Sequence, residues 1–277
     1  VLYSQHLTSA RFGANIEKRS KTINVKAGTA VKNERYEKIM NILAERGYAS
    51  VDRLSKELFV SMPTVRRDLN TMQDLGLVVR SHGGVVPRLS DMDGGPAVFR
   101  MGVNPQEKLK LDKAAAKLLR DNCMVFMDES TTTLHIIDQM SAYKNITVVT
   151  NNISVLQLAA KYRVPTICLG GETCYDTMSF YGYEAEELIT HFGIDIMFYS
   201  SSAITPGAWI ADYSARANAL RRRALQQADM KVFLCDKSKF LKPGAYMLMP
   251  LCEADHIITN AKLPEELNTG AARVTIV

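Results

Sequence analysis

The sequence predicts an α/β protein in which an N-terminal winged helix-turn-helix is followed by a mostly parallel-sheet α/β domain. Near the N-terminus, three short helical patterns precede a hairpin pattern. From residue 107 onwards, short apolar strands alternate with helices, which is typical of a parallel sheet with helices on both faces. A concentration of positive charge in the N-terminal third sets the first part apart from the second.

The composition is that of a globular protein. Of 277 residues, 47% are hydrophobic and 23% are charged, and both fractions are ordinary. We find no apolar run long enough to span a bilayer and no apolar N-terminal stretch of the kind found in signal peptides. Five cysteines without a CxxC pair indicate reduced thiols in a cytoplasmic protein.

The charge is distributed unevenly along the chain. Residues 1–88 contain 15 Lys/Arg and 8 Asp/Glu, whereas residues 89–277 contain 19 and 21. A basic module beside a near-neutral one favours a polyanionic partner, because neutralising phosphates releases counterions from nucleic acid. The alternative is a solvated basic surface without a partner.

Composition divides the chain into four segments. We expect residues 1–32, with six Lys/Arg and one Glu, to be a disordered basic tail. Residues 33–87 form the predicted DNA-binding domain. Residues 88–106 carry several Pro and Gly and form a predicted linker. Residues 107–277 form the predicted second domain.

The DNA-binding prediction depends on the third helical pattern, which follows helices predicted at 34–46 and 51–58. It begins after Ser61, a good N-cap, and extends to about Leu75. Thr64 adds a polar group at its start, and Arg66 and Arg67 suit guanine edges or phosphates because the guanidinium fork is planar and bidentate. The alternative is an ordinary surface helix in which Asp68 pairs with a neighbouring basic side chain.

Small polar residues follow several predicted strands of the second domain. Because parallel strands present their carboxyl ends at one edge of a sheet, these residues predict a ligand site there. Phosphate and sugar hydroxyls are bound by side-chain hydroxyl and amide groups and by backbone N–H groups at helix N-termini. The alternative is that Ser, Thr and Asn at these positions only cap the helices that follow. The candidate effector-binding residues are Asp128, Ser130, Thr131, Thr132, Thr133, Thr150, Asn151, Asn152, Gly170, Gly171, Ser200, Ser201 and Lys239.

The N-terminal segment resembles the DNA-binding region of the DeoR family of bacterial regulators. The matching positions are Arg35, Ile39, Leu43, Ser61, Thr64, Val65, Arg66, Arg67, Asp68 and Leu69, followed by Gly76, Leu77, Arg80, Ser81, His82, Gly83 and Gly84. The resemblance implies a winged helix-turn-helix whose helix 61–75 contacts bases. The DNA-binding residues that it implies are Ser61, Thr64, Arg66, Arg67, Arg80 and His82.

The second domain resembles the DeoR effector domain from Glu107 to the C-terminus. The shared landmarks are Asp128, Thr150, Asn151, Gly170, Gly171, Gly182, Asp236, Ser238, Lys239 and Phe240. The family's effector fold is similar to ribose-phosphate isomerases. The resemblance therefore implies a repressor of a sugar-catabolic operon that is controlled by a phosphorylated sugar. Because one winged module buries a small interface and bacterial operators usually match a protein two-fold axis, we also expect a homodimer or homotetramer held together by this domain.

Two other functions are weighed against this one. The first is a sugar-phosphate isomerase-like enzyme with a DNA-binding appendage, in which Asp128, Glu129 and Lys239 would serve acid–base chemistry. The second is an RNA-binding scaffold. The sequence does not support it, because it lacks the exposed aromatic residues with which such proteins stack on single-stranded bases.

The remaining candidate residues predict little chemistry. The five histidines are scattered without metal-ligand spacing, so we expect no metal and no cofactor. The run Arg221, Arg222 and Arg223 is interpreted as a solvated helix face, with a second polyanion contact as the alternative.

Overall fold

The structure is a computed structural model. It describes residues 35–36, 38–40, 42–43, 48–75, 77–81, 84–87 and 97–277. The predicted tail 1–32, the glycine at 76, and His82 of the predicted wing lie outside the described residues. The chain separates into two compact units, and the second comprises Gln73–Val79 and Pro87–Val277.

The N-terminal unit contains the predicted helix-turn-helix. The described residues between 35 and 43 are helical, and they are followed by α1 (Val51–Glu57) and α2 (Met62–Asp74). Leu69 and Met72 of α2 are fully buried, as are Ile39 and Leu43 of the first helical segment. Its three-stranded sheet has the order β1-β3-β2, with bounds β1 (Ala49–Ser50), β2 (Val78–Ser81) and β3 (Gly84–Pro87).

The second unit is built on a seven-stranded sheet in which every neighbouring pair is parallel. The prediction of a mostly parallel sheet is confirmed. Its order is β15-β14-β12-β9-β4-β5-β6. The strands are β4 (Met124–Met127), β5 (Thr147–Thr150), β6 (Thr166–Cys168), β9 (Ile194–Tyr199), β12 (Ala228–Cys235), β14 (His256–Thr259) and β15 (Arg273–Ile276).

The strand order reverses between β4 and β9. From β4 the chain adds β5 and β6 on one side, then returns to add β9, β12, β14 and β15 on the other. In open α/β sheets this reversal opens a crevice at the carboxyl ends of the two central strands, where ligands bind. The predicted polar clusters after β4 and β9 are therefore the two that border the crevice.

Helices cover both faces of this sheet. Alternate strand residues enter two separate cores, because successive side chains of a strand point to opposite faces. Phe126 and Tyr199 pack into one core, whereas Val125 and Phe198 pack into the other. The helices of this unit are α3 (Ala97–Arg100), α4 (Pro105–Ala115), α5 (Ile137–Met140), α6 (Ile153–Tyr162), α7 (Tyr183–Leu188) and α8 (Ala215–Gln227).

Two antiparallel elements were not predicted as sheets. A hairpin pairs β7 (Glu172–Cys174) with β8 (Ser179–Tyr181). A three-stranded sheet pairs β11 (Trp209–Asp212) with both β10 (Ala203–Ile204) and β13 (Tyr246–Pro250). Within the described ranges, no helix combines the length and the apolar character needed to cross a membrane.

Candidate DNA-binding and effector sites

The start of α2 is capped as its sequence predicts. The backbone amide of Thr64 donates to the Ser61 hydroxyl at 3.4 Å, and the two hydroxyl oxygens are 2.9 Å apart. Val65 faces the core, while Arg66 and Arg67 are exposed. The helix thus has a capped polar N-terminus and two solvent-facing arginines, which is the arrangement a recognition helix needs.

Asp68 forms its ion pair with Arg35 and not with Arg66 or Arg67 of α2. The Arg35 guanidinium donates to both carboxylate oxygens, at 2.8 and 3.1 Å. Asp68 is buried and Arg35 is about four-fifths buried. This bidentate contact ties the first helical segment to α2, which gives a structural reason for both residues in the motif.

The wing contributes one predicted arginine beside α2. The Arg80 guanidinium donates to the Asn70 side-chain oxygen at 2.6 Å, and both residues are exposed. Gly84 opens β3, where a Cβ atom would lie 2.5 Å from the Ala49 carbonyl oxygen. The close pairing of β3 with β1 therefore requires glycine at that position.

Asp128 joins the loops that follow β4 and β9. One carboxylate oxygen accepts from the Ser130 amide at 3.1 Å and from the Thr133 hydroxyl at 3.3 Å. The other accepts from the Ser200 amide at 3.2 Å. Two predicted strand-end clusters therefore meet where the strand order reverses.

The third cluster adjoins the first, and part of it is structural. The Thr150 hydroxyl donates to the Met127 carbonyl at 2.7 Å. Asn152 caps α6 by accepting from the Ser154 and Val155 amides, so the capping alternative holds for this residue.

Two side-chain oxygen atoms at this edge have no hydrogen-bond partner among the described residues. The Asn151 amide donates to the Phe180 carbonyl at 3.0 Å, but its buried Oδ1 has no hydrogen-bond partner among the described residues. The buried Thr132 makes no side-chain hydrogen bond to any described residue. By contrast, the Ser201 hydroxyl donates to the Ala203 carbonyl. Thr132 and Asn151 are the better candidates for ligand contact.

The two predicted effector-site glycines differ in their surroundings. Gly171 has φ of +103°, and a Cβ atom there would lie 2.5 Å from the Tyr181 carbonyl oxygen. Its glycine is explained by packing against β8. Gly170 has φ of +67° and open space around the Cβ position.

The interpretation of Arg221 as a solvated residue is wrong. Its side chain is 3% exposed and lies among three carboxylates, because α8 turns this position toward the sheet while Arg222 and Arg223 stay exposed. The guanidinium contacts Asp128 at 3.0 Å, Glu129 at 2.6 Å and Asp212 at 2.7 Å.

One guanidinium cannot neutralise three carboxylates, and the pKa values of Glu129 and Asp212 shift in opposite directions. Burial raises the pKa of Glu129 to about 7 although Arg221 opposes the shift. Burial also acts on Asp212, but there Arg221 prevails and holds the pKa below its ordinary value. Glu129 Oε2 is buried without a hydrogen-bond partner among the described residues, so Glu129 is the carboxyl that most readily takes a proton.

Lys239 is held at the carboxyl end of β12 by a tight turn. The Asp236 carboxylate accepts from the Ser238 amide at 2.9 Å and caps the 3-10 turn Lys237–Lys239. Lys108 of α4 also reaches this edge of the sheet, where its ammonium donates to the Thr131 hydroxyl at 3.0 Å. Sequence reasoning missed Lys108, because a lysine in a charged helix resembles any solvated one.

Comparison with known proteins identifies both parts of the chain. Residues 35–88 match the DeoR-like helix-turn-helix domain, and residues 103–261 match the DeoR C terminal sensor domain. The L-fucose operon activator of Haemophilus influenzae is 30% identical over 85% of this chain and 94% of its own length. The glycerol-3-phosphate regulon repressor of the same organism is 25% identical over 81% and 88%.

A solved structure of ribose 5-phosphate isomerase A from Methanocaldococcus jannaschii is also similar, with a TM-score of 0.38 and 17% identity over 50% of this chain and 55% of that one. That likeness is too distant to bear on function. The family matches and the curated relatives decide against the enzyme alternative, since they are regulators. The chain belongs to the DeoR family of transcriptional regulators and binds DNA through its N-terminal helix-turn-helix.

Proposed function

We propose that this protein represses a carbohydrate-utilisation operon and that a phosphorylated sugar, bound at the carboxyl edge of the seven-stranded sheet, relieves the repression. The observation behind the proposal is the meeting of the β4 and β9 loops at the point of strand reversal, with Thr132 and Asn151 left available. Hydroxyl and amide groups of this kind suit phosphate oxygens and sugar hydroxyls.

The names of two relatives support the chemical class of the ligand. One relative is named for an L-fucose operon and the other for a glycerol-3-phosphate regulon. A phosphorylated sugar shares its hydroxyls with the first of these compounds and its phosphate with the second.

The full chain tests this proposal directly. Genomic DNA fragments that the protein selects are used to measure operator affinity, first alone and then with a panel of pentose, hexose and deoxyhexose phosphates. The unphosphorylated sugars serve as matched controls. We expect one phosphorylated sugar to weaken operator binding and its unphosphorylated form to leave it unchanged. A panel in which no phosphate ester changes operator affinity would contradict the proposal.

We further propose that Arg66 and Arg67 contact bases. Arg66→Ala or Arg67→Ala should weaken operator binding by about 1–3 kcal/mol and relax discrimination at one base pair. Lys117→Ala is the control, because it removes an exposed positive charge from the sensor unit. Binding isotherms on operator variants at several salt concentrations separate the roles. A residue that contacts only phosphate weakens all sequences alike and lowers the salt slope.

We also propose a homodimer or homotetramer held together by the second unit. A single winged module makes a small interface with DNA, and bacterial operators commonly match a protein two-fold axis. Trp209, Tyr246 and Met247 of the antiparallel sheet are 38–47% exposed, and exposed apolar groups of this size suit an interface. Residues 97–277 and the full chain should sediment as the same oligomer, and a monomer at micromolar concentration would refute this.

A further inference from the structure

Lys108 is a buried cation at the carboxyl edge of the sheet. It lies on α4 and is 6% exposed. Its ammonium donates to the Thr131 hydroxyl at 3.0 Å and to the backbone carbonyl of Arg100. Both acceptors are uncharged, so these contacts fix the position of the ammonium without neutralising it.

No carboxylate of the described residues lies within ion-pair distance of this charge, although Asp236 and Asp112 act on it from further away. Asp112, one turn further along α4, is itself buried, and burial raises the pKa of its carboxyl well above the ordinary value, which favours its neutral form. Burial, together with nearby Lys239, lowers the pKa of Lys108 to about 8. A buried cation without an ion-pair partner destabilises the fold. Its presence here is explained if a bound anion pairs with it.

Arg100 adds a second unsatisfied cation beside the first. Its Nε and Nη2 atoms are buried and make no hydrogen bond within the described part of the chain. Buried guanidinium donors are normally paired, and their planar fork fits the oxygens of a phosphate. Its positive charge also acts on Lys108. Arg100 and Lys239 therefore add two positive charges close enough to act on the Lys108 ammonium.

We propose that Lys108 and Arg100, with Thr131 and Lys239, form an anion subsite that binds the phosphate group of the effector. This inference rests on the proposed function for the identity of the ligand. The anion accepts hydrogen bonds from the Arg100 guanidinium and the Lys108 ammonium. Its negative charge pairs with these two cations. Neither residue belongs to the polar clusters that follow the strands.

The same subsite links the ligand to the segment between the two family matches. Arg100 is the last residue of α3, and it lies in the stretch 89–102 that neither match covers. Within the second unit, α3 is anchored at its start by the Ala97 amide, which donates to the Asp176 carbonyl at 2.6 Å. Its end is held by Lys108 and Thr131. An anion bound by Lys108 and the Arg100 guanidinium contacts the end of α3 directly. Ligand binding therefore affects the segment that connects the two matched domains.

Inorganic phosphate is the probe for the test. The full chain is melted in phosphate and in sodium chloride of equal ionic strength, because a ligand that binds only the folded state raises the melting temperature. We expect phosphate to stabilise the wild type. Lys108→Met should melt no lower than the wild type in chloride, since an apolar side chain replaces an unpaired buried charge. Its phosphate affinity should fall roughly tenfold or more.

The controls separate this subsite from general charge effects. Lys110→Met removes an exposed charge from the same helix and should keep the full phosphate response. The Arg66→Ala, Arg67→Ala double variant should also keep it, which excludes binding at the DNA-binding surface. Arg100→Gln retains the backbone carbonyl and should lose the response even if Lys108→Met does not fold. A wild type without a phosphate response, or a normal response in Lys108→Met or Arg100→Gln, would overturn the inference.

Operator release measured on the same variants distinguishes a misplaced subsite from a wrong proposed function. If a sugar phosphate releases the wild type and Lys108→Met equally well, the subsite is misplaced while the proposed function stands. If phosphate binding depends on Lys108 but no sugar phosphate affects operator binding, the subsite stands and the proposed function fails.

Discussion

Replacing Arg221 by methionine is expected to destabilise the sensor unit by about 3–5 kcal/mol, because it leaves a cluster of buried carboxylates without their counter-ion. The three carboxylates are at most 11% exposed, and Arg221 is the one cation within 4 Å of them in the described chain. Urea unfolding followed by tryptophan fluorescence measures the loss, since the single Trp209 lies in this unit.

The loss should depend on pH in a defined direction. In the wild type, Arg221 holds the pKa of Asp212 below its ordinary value. That contribution to stability is therefore present above the unfolded-state pKa and is lost as the pH falls through the folded-state value. Without Arg221, burial is no longer opposed by the guanidinium and raises the pKa of both Glu129 and Asp212. Acidification from pH 7 to pH 5 then stabilises the variant through two carboxyls, whereas it stabilises the wild type through Glu129 alone, whose pKa is already about 7. The difference in unfolding free energy between the two proteins should be smaller at pH 5 than at pH 7.

Two matched variants control this experiment. Arg223→Met removes an exposed arginine from the same helix and should change stability by no more than about 0.5 kcal/mol. Arg221→Lys keeps the charge but loses the three-way guanidinium contact, so an intermediate loss is expected. If Arg221→Met is as stable as Arg223→Met, the cluster does not hold the β4 and β9 loops together.

Sequence reasoning succeeds where the signal is local. The period-two and period-3.6 patterns predict the parallel sheet and its helices, since each pattern depends on neighbours within a few residues. The predicted strand 194–199 matches β9, and the predicted helix at 214–228 differs from α8 by one residue at each end. The N-cap prediction for Ser61 likewise depends only on Thr64, three residues later.

The same reasoning fails where a residue's meaning depends on distant partners. Arg221 is separated from Asp128 by 93 residues and from Glu129 by 92, and nothing in the run of three arginines shows which one faces inward. Lys108 meets Thr131 across 23 residues. Both residues lie on helices with abundant surface charge, so only the packing of those helices against the sheet reveals that they are buried.

The predicted strand-end site illustrates both outcomes. Strand ends could be located from the sequence, and the parallel arrangement brings Asp128 and Ser200 together as expected. Which side chains of the clusters stabilise the fold and which remain available to a ligand could not be predicted, because this depends on hydrogen bonds formed in the folded protein. Asn152 caps a helix, whereas Thr132 has no hydrogen bond to the described residues.

Thr132→Val is expected to raise the sugar-phosphate concentration needed for operator release roughly ten- to a hundredfold, the cost of one hydrogen bond to a charged group. Valine keeps the shape of threonine and removes only the hydroxyl. Operator affinity without ligand should be unchanged, because a ligand shifts the DNA-binding states only through its differential affinity for them. Operator titrations at increasing sugar phosphate measure the shift, and a super-repressed phenotype is its counterpart in cells.

The structure removes the main competing explanation for such a result. If Thr132 were a helix cap, its loss would cost about 1 kcal/mol of stability, but the residue that precedes the turn Leu134–Ile136 is Thr133. Thr133→Val is therefore the matched control: its hydroxyl bonds Asp128, so this variant should melt at a lower temperature. Thr132→Val should melt like the wild type. A Thr132→Val protein that melts lower and responds normally to the sugar phosphate would show that this hydroxyl stabilises the fold and does not contact the ligand.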